Sequence, residues 1–319
     1  MKFRIILLLT FSILLLTNCS DTKSEPKKLT DKEKLEQLIY RFKNPSKDYI
    51  LACAHRGYWR SGPENSLLAV ENAIAIGVDI IEIDVRKTID NQLIVIHDKT
   101  INRTTTGKGR ISEITLDSIK KVNLKTGAGI KTHYKVPTLE EVMLLVKDKP
   151  VLINLDKAWA CLPEAYEILK KTGTVKQAIF KGNDPVQLLR KKAGKILDSI
   201  IYMPMVWPTD YSIYKRDSIV APVDFVENFI SDYKPVAFET LFDKENSPVL
   251  EAIPVMQENN TSVLTVTLWD ELCAGHSDER AYENPEKHWG WIIDKGANVI
   301  MTDRPKFLLD YLREKGLHD

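Results

Sequence analysis

Short apolar runs recur along this chain, and between them lie stretches whose apolar positions repeat every three or four residues. The runs 50–54, 80–85, 151–155, 178–181, 200–203, 236–239, 263–267 and 299–302 read as strands. The segments 66–76, 138–147, 163–171, 185–193, 222–231, 248–259 and 285–295 read as helices. Five of these open on proline (Pro163, Pro185, Pro222, Pro248, Pro285), whose fixed φ and missing N–H suit a first helical turn. Strands alternating with helices predict an α/β fold with a parallel sheet, and eight strands are the number that closes a (β/α)₈ TIM barrel. An open doubly wound sheet would carry a Gly-rich phosphate loop after its first strand, and this chain has none. A further helix is predicted over 29–42, with Leu35, Leu38 and Ile39 on one face.

One run breaks the alternation. Residues 93–96 follow 80–85 with only 86–92 between them, too few for a crossover helix. The two therefore form a hairpin with Asp90-Asn91 near its tip. With those two residues as the loop centre, Asp84 faces His97. The Gly/Thr/Lys-rich stretch of about 99–136 then falls outside the barrel, as an insertion after the second strand that forms a small lobe over the mouth. Its Lys108, Arg110, Lys125 and Lys131 read as a solvated face.

The N-terminus has a different character. Lys2 and Arg4 precede an apolar stretch over 5–16, too short for a hydrocarbon core of about 30 Å. Residues 1–18 read as a signal peptide. Leu16-Thr17-Asn18-Cys19 resembles a bacterial lipobox, which predicts export and a membrane tether through lipidated Cys19. The predicted units are the signal peptide, a tether and helix over 19–47, and the barrel over 48–319.

Composition narrows the function. With 319 residues, 44% of them hydrophobic, the chain is neither disordered nor a small disulfide-stapled domain. A formal net charge of +1 argues against a nucleic-acid partner, whose binders carry a clear basic excess. Four cysteines without a C-x-x-C pair support neither a disulfide framework nor a zinc site.

The candidate chemistry sits at the predicted strand ends. Glu82 and Asp84 are two apart and share one face of their strand, with isoleucines on the other. A parallel barrel strand has no wet face, so two crowded carboxylates there lack solvation. A hard divalent cation with oxygen ligands removes that conflict. Asp156, just past the next barrel strand, opens into the same mouth and supplies a third ligand. Glu64, on the loop after the first strand, reads as a fourth ligand or a substrate contact. A lone histidine is usually structural, but His55 and His97 end adjacent strands beside the carboxylate pair. An ordinary pKa of about 6.5 suits such a pair to taking and giving a proton. Arg56 offers a fixed positive fork for a phosphate.

These residues carry a resemblance. His55-Arg56-Gly57, Glu64-Asn65-Ser66, Glu82-x-Asp84, Asp90 and His97-Asp98 resemble, in order and spacing, the glycerophosphodiester phosphodiesterase family. Thr302-Asp303-Arg304-Pro305 looks like that family's closing motif, and the likeness covers roughly residues 50–310. It implies a TIM barrel with an insertion after the second strand. It also implies hydrolysis of glycerophosphodiesters to an alcohol and glycerol 3-phosphate, with Mg²⁺ or Ca²⁺ and two histidines. By the resemblance, Glu82 and Asp84 are metal carboxylates, His55 and His97 the acid/base pair, Arg56 the phosphate arginine and Glu64 the mouth glutamate.

Two departures stand out. The family's Glu-x-Lys on the third barrel strand is here Asp156-Lys157-Ala158. A one-residue shift on a strand reverses a side chain, so Lys157 misses the phosphate unless the strand has already ended. Lys181 is the candidate replacement. Ser66 stands where the family has threonine, and either can cap the next helix. Trp59, Trp159, Trp207 and Trp269 follow predicted strands and form a candidate aromatic wall for the substrate's alcohol. The alternatives are a barrel phosphodiesterase acting on intact phospholipids or glycerophosphoinositol, and a non-catalytic phosphate-binding lipoprotein.

Overall fold

The computed structural model describes residues 29–208 and 220–319; the predicted signal peptide, Cys19 and the start of the tether lie outside the described residues. Among the described residues the strands are β1 (Leu51–Ala54), β2 (Ile80–Lys87), β3 (Leu93–Val95), β4 (Leu152–Asp156), β5 (Ala178–Gly182), β6 (Ile201–Val206), β7 (Ala237–Thr240), β8 (Ser262–Val266) and β9 (Val299–Thr302). Eight of them pair in parallel in the order β1-β2-β4-β5-β6-β7-β8-β9, and β9 returns to β1. The result is a closed (β/α)₈ barrel.

Helices surround it: α1 (Asp31–Lys43), α2 (Leu67–Ile76), α3 (Leu116–Lys121), α4 (Leu139–Val146), α5 (Leu162–Thr172), α6 (Val186–Ala193), α7 (Pro222–Asp232), α8 (Pro248–Glu258), α9 (Asp278–Glu283), α10 (Trp291–Asp294) and α11 (Pro305–Glu314). Local sequence sets their ends. Ser66 caps α2 by accepting from the Ala69 N–H, and Thr138 with Glu141 forms a capping box on α4. The helix predicted over 285–295 instead opens with a π-helical turn, Glu286–Gly290, which buries Trp289 with its N–H on Asp278.

Side-chain alternation divides the strands into two cores. Inward residues such as Leu51, Ile80, Leu152, Met203 and Val299 fill the barrel, and Leu35, Leu38 and Phe42 of α1 pack against them. Helix α1 therefore closes the floor of the barrel, where burying a side chain like Phe42 contributes roughly 1.5–3 kcal/mol. Outward residues such as Ile81 and Ile83 pack under the helices. Among the described residues no helix is long and apolar enough to cross a membrane.

β2 and β3 form the expected hairpin, but its register corrects the prediction by one residue. Val85 faces Val95 and Lys87 faces Leu93, so Asp84 faces Ile96, not His97. The cause is the loop chemistry. Thr88 donates its N–H to the Gln92 carbonyl at 3.0 Å and accepts the Gln92 N–H on its hydroxyl at 3.0 Å, which centres the tip on Asp90. The insertion beyond builds its own small core from Ile94, Ile96, Ile101, Ile111, Ile119, Leu124 and Val136.

Candidate active site

Alternation along the strands sends Glu82 and Asp84 of β2, Asn154 and Asp156 of β4, Lys181 of β5 and Glu239 of β7 toward the barrel axis. The β2–β4 register sets Asp84 beside Asp156 and Glu82 beside Asn154. Ligand oxygens of Glu82, Asp84 and Asp156 all lie within 4.8 Å of one another. These are hard donors on three rigid strand positions, and they could hold a divalent cation.

The loop after β1 carries the next groups. Arg56 and Gly57 adopt left-handed backbone, with φ of 54° and 74°. A Cβ on Gly57 would stand 2.9 Å from Ala69 of α2, so only glycine lets the turn close there. This turn aims the Arg56 N–H at Glu82 Oε2, 2.9 Å away. The Arg56 guanidinium lies with Nε 3.6 Å from Asp84 Oδ2. Asn65, also left-handed, donates its amide to Asp84 Oδ2 at 2.8 Å and accepts the Asp84 N–H at 3.1 Å.

Each histidine is held by its own carboxylate. His55 Nδ1 lies 2.8 Å from Asp303 Oδ1, and its Nε2 lies 4.0 Å from Glu82 Oε2. Asp303 also accepts the Trp59 indole N–H at 2.6 Å, and its own N–H donates to buried Asp278 at 2.7 Å. His97 Nδ1 lies 2.8 Å from Asp98 Oδ1. Arg103, from the insertion, binds Asp98 and reaches both oxygens of Glu64 at 2.6 and 2.8 Å. Glu64 in turn accepts from Arg56 Nη1 at 3.1 Å. Glu64 therefore sits behind Arg56 with its oxygens already engaged, and does not line the main cavity.

Strand β4 ends at Asp156, and Lys157 turns into left-handed backbone with φ of 65°. That turn returns its ammonium to the mouth, onto Asp84 and Asp156. The one-residue shift seen in the sequence is thus compensated by the early end of the strand. Lys181 is buried and bonds Glu239 at 3.1 and 3.2 Å, with Asp156 3.7 Å away.

Both histidines, Arg56, the three clustered acids, Lys157, Lys181 and Glu239 line one cavity of about 900 Å³ at the C-terminal ends of the strands, the face on which TIM-barrel enzymes do chemistry. Its far wall is apolar, with Trp159, Trp207, Leu268 and Trp269. Trp59 does not line it. This corrects the predicted wall, because the Trp59 ring is committed to Asp303.

Electrostatics follow from burial and crowding. Burial, with the Asp84 charge beside it, pushes the Glu82 carboxyl up to about 7. Burial opposes ionisation of Asp156, but the Lys181 and Lys157 ammoniums hold it well below the usual range. Burial lowers the His55 imidazole, yet Asp303 and Glu82 outweigh it and the net shift is upward. His97 is shifted down, chiefly by burial, against the pull of Asp84.

Residues 55–197 match the Glycerophosphoryl diester phosphodiesterase family, and residues 202–312 match a domain of unknown function. A glycerophosphodiester phosphodiesterase from Caldanaerobacter subterraneus is 44% identical over 111 residues, 33% of this chain and 44% of that protein. Over the matched stretch the chain is similar to glycerophosphodiester phosphodiesterases. Glycerophosphodiester phosphodiesterase 1 of Rattus norvegicus is 33% identical over 204 residues, 56% of this chain and 59% of that one. The alignments thus span less than two thirds of either relative. The fold matches a solved glycerophosphoryl diester phosphodiesterase from Parabacteroides distasonis at a TM-score of 0.68, with 23% identity, 88% of this chain and 92% of that one. It also matches an Oleispira antarctica phosphodiesterase in complex with the product sn-glycerol-3-phosphate, at 0.62, 17%, 86% and 99%.

Several residues of this site escaped sequence reasoning. Arg103 lies in the insertion and Asp278 between β8 and β9, so neither neighbours a predicted site residue in sequence. Glu239 ends a predicted strand, and that position was the available signal.

Proposed function

We propose that the protein hydrolyses glycerophosphodiesters to an alcohol and glycerol 3-phosphate, using a divalent cation, Mg²⁺ or Ca²⁺. One observation carries this reading: two carboxylate-held imidazoles and three clustered acids face a single cavity at the barrel mouth. Glu82, Asp84 and Asp156 would hold the cation, which when bound supplies Lewis-acid polarisation of phosphoryl oxygens. Arg56, Lys157 and Lys181 provide fixed positive charge for the phosphate and for charge building in the transition state. Attack of an oxygen nucleophile on phosphorus forms one P–O bond as the bond to the alcohol breaks. One histidine takes the nucleophile's proton and the other gives a proton to the leaving alkoxide. Their Nδ1 atoms are fixed by Asp98 and Asp303, so Nε2 is the nitrogen that moves the proton.

The test is a panel of glycerophosphodiesters bearing choline, ethanolamine, glycerol and inositol, with phospholipid vesicles alongside. EDTA is added, then Mg²⁺ or Ca²⁺ restored. Cation-dependent release of glycerol 3-phosphate is expected. Saturable binding without turnover would refute the enzymatic reading, and turnover of vesicles alone would move the substrate class to intact lipids.

We further propose that residues 1–18 direct export and that lipidated Cys19 tethers the enzyme to the bacterial envelope. Labelled fatty acid should enter the wild type and not Cys19→Ala.

A further inference from the structure

A second cavity of about 390 Å³ adjoins the first, and Lys157 and Ala160 line both. It lies between the end of β2, the insertion and the turn after β4. Its charged lining is entirely basic: Arg86, Lys87, Lys99, Arg110 and Lys157. Some of that charge is compensated from outside the cavity. Lys87 pairs with Glu164 at 3.1 Å, Arg110 with Glu113 at 3.7 Å, and Lys157 leans onto Asp84 and Asp156. Lys99 has no side-chain partner among the described residues. Arg86 uses Nε on the His97 carbonyl at 2.7 Å, which fixes its guanidinium beside the catalytic histidine. Ser112 adds a hydroxyl to the same lining. Such a concave, single-sign surface concentrates anions, and an arginine fork and lysines suit phosphate oxygens.

We infer that this cavity binds a second anionic group of the substrate, a phosphate monoester or diester carried on the alcohol of the diester being cleaved. The inference rests on the phosphodiesterase reading for the identity of the first group. Lys157 and Ala160 stand between the two cavities, so a substrate carrying two phosphates would place the reacting phosphorus in the larger and the second phosphate in the smaller. Arg110, which the sequence places on a solvated face, is exposed and also borders this smaller cavity. A free phosphate could use the same chemistry, and the experiment separates the two sources.

The test compares wild type with a Lys99→Glu/Arg110→Glu double variant. Both side chains are exposed and outside every core cluster. Lys108→Glu/Lys131→Glu, on exposed positions of the same lobe and outside the cavity lining, matches the charge change. Calorimetry at low salt, where screening is weak, uses glycerol 3-phosphate, 1,4-butanediol bisphosphate and inorganic phosphate. Neither organic probe contains a phosphodiester. Wild type should bind the bisphosphate at least tenfold more tightly than glycerol 3-phosphate. The cavity variant should bring the two within about twofold, and the control variant should not. In turnover, the cavity variant should keep kcat/KM for glycerophosphocholine and lose about tenfold for a diester bearing a second phosphate. Equal weakening of both probes, or no bisphosphate preference in wild type, overturns the inference. Loss of a second inorganic-phosphate site without any change in bisphosphate preference would make this a free-anion site and also overturn it. If wild type cleaves no diester while the bisphosphate preference stands, the failure belongs to the activity reading alone.

Discussion

Two histidines at opposite ends of this barrel make nearly the same contact. At the mouth, His55 Nδ1 lies 2.8 Å from Asp303 Oδ1; at the floor, His318 Nε2 lies 2.9 Å from Asp79 Oδ2. Both rings are shifted upward in pKa, because an acidic partner outweighs burial. Their surroundings separate them. His55 faces a large cavity and the acid Glu82, whereas His318 packs on the Tyr49 ring at a centroid distance of 4.8 Å. Asp79 also accepts the Ala52 N–H at 2.8 Å, so the floor pair ties the last turn of chain to the start of the strands. A histidine–carboxylate bond is thus no mark of chemistry by itself. The end of the barrel decides, since the C-terminal face carries function and the N-terminal face stability.

Replacing each ring should split the two roles most widely. His55→Ala, like His97→Ala, is expected to lower kcat by at least about 10²–10⁴-fold, the range for general acid/base groups, with the melting transition retained. His318→Ala should leave kcat unchanged and destabilise by about 1.5–3 kcal/mol, the range for a hydrogen bond to a charged group. Steady-state turnover and thermal unfolding on the same preparations read both. Near-wild-type turnover of His55→Ala would dissolve the distinction.

The next effect concerns the acid that holds the His55 ring. Asp303→Asn keeps the shape but loses the charge that fixes the His55 tautomer. A drop in kcat on the order of 10²-fold, the lower end of the general acid/base range, with little change in KM is expected. An equal rise in KM would instead place Asp303 in substrate binding.

The contrast also explains what the sequence could reveal. The eight barrel strands were legible because each is a short apolar run bounded by helix signals, and strand β9 matches residue for residue. Glu82 and Asp84 were legible because charged residues at two-residue spacing conflict with a strand buried on both faces. The hairpin register was not, because it hung on one Thr88 hydroxyl. The return of Lys157 to the mouth depended on where β4 stops, and a strand end is set by tertiary pairing. The Arg103–Glu64–Arg56 connection joins an insertion to a loop 39 residues away, and no local pattern announces it. His318 gave no signal because Asp79 meets it only after the barrel closes.

A smaller effect tests the apolar wall. Trp269 stands edge-on to His55 at a centroid distance of 6.1 Å and is about half exposed. An aromatic contact is worth about 0.5–1.5 kcal/mol. Trp269→Ala should therefore raise KM for glycerophosphocholine by roughly 2–10-fold with kcat nearly kept, and Trp269→Phe should recover most of it. A fall in kcat with constant KM would shift Trp269 from the alcohol to the His55 ring.

The smallest effect is a pH dependence confined to the floor. His318 is faced by the Asp79 carboxylate, the Tyr49 hydroxyl, the Asp319 carbonyl and the Arg313 guanidinium. Of these, Asp79 raises its pKa most, and Arg313 pulls the other way. A group whose pKa is higher folded than unfolded binds its proton more tightly when folded. Its stabilisation is therefore complete below the unfolded value of about 6.5 and disappears as pH rises through the raised folded value. The melting temperature of wild type should exceed that of His318→Gln by more at pH 6 than at pH 9, by a margin on the order of 2 °C. The opposite trend would mean that the ring is buried neutral, and the floor pair would then be an ordinary hydrogen bond, unlike its counterpart at the mouth.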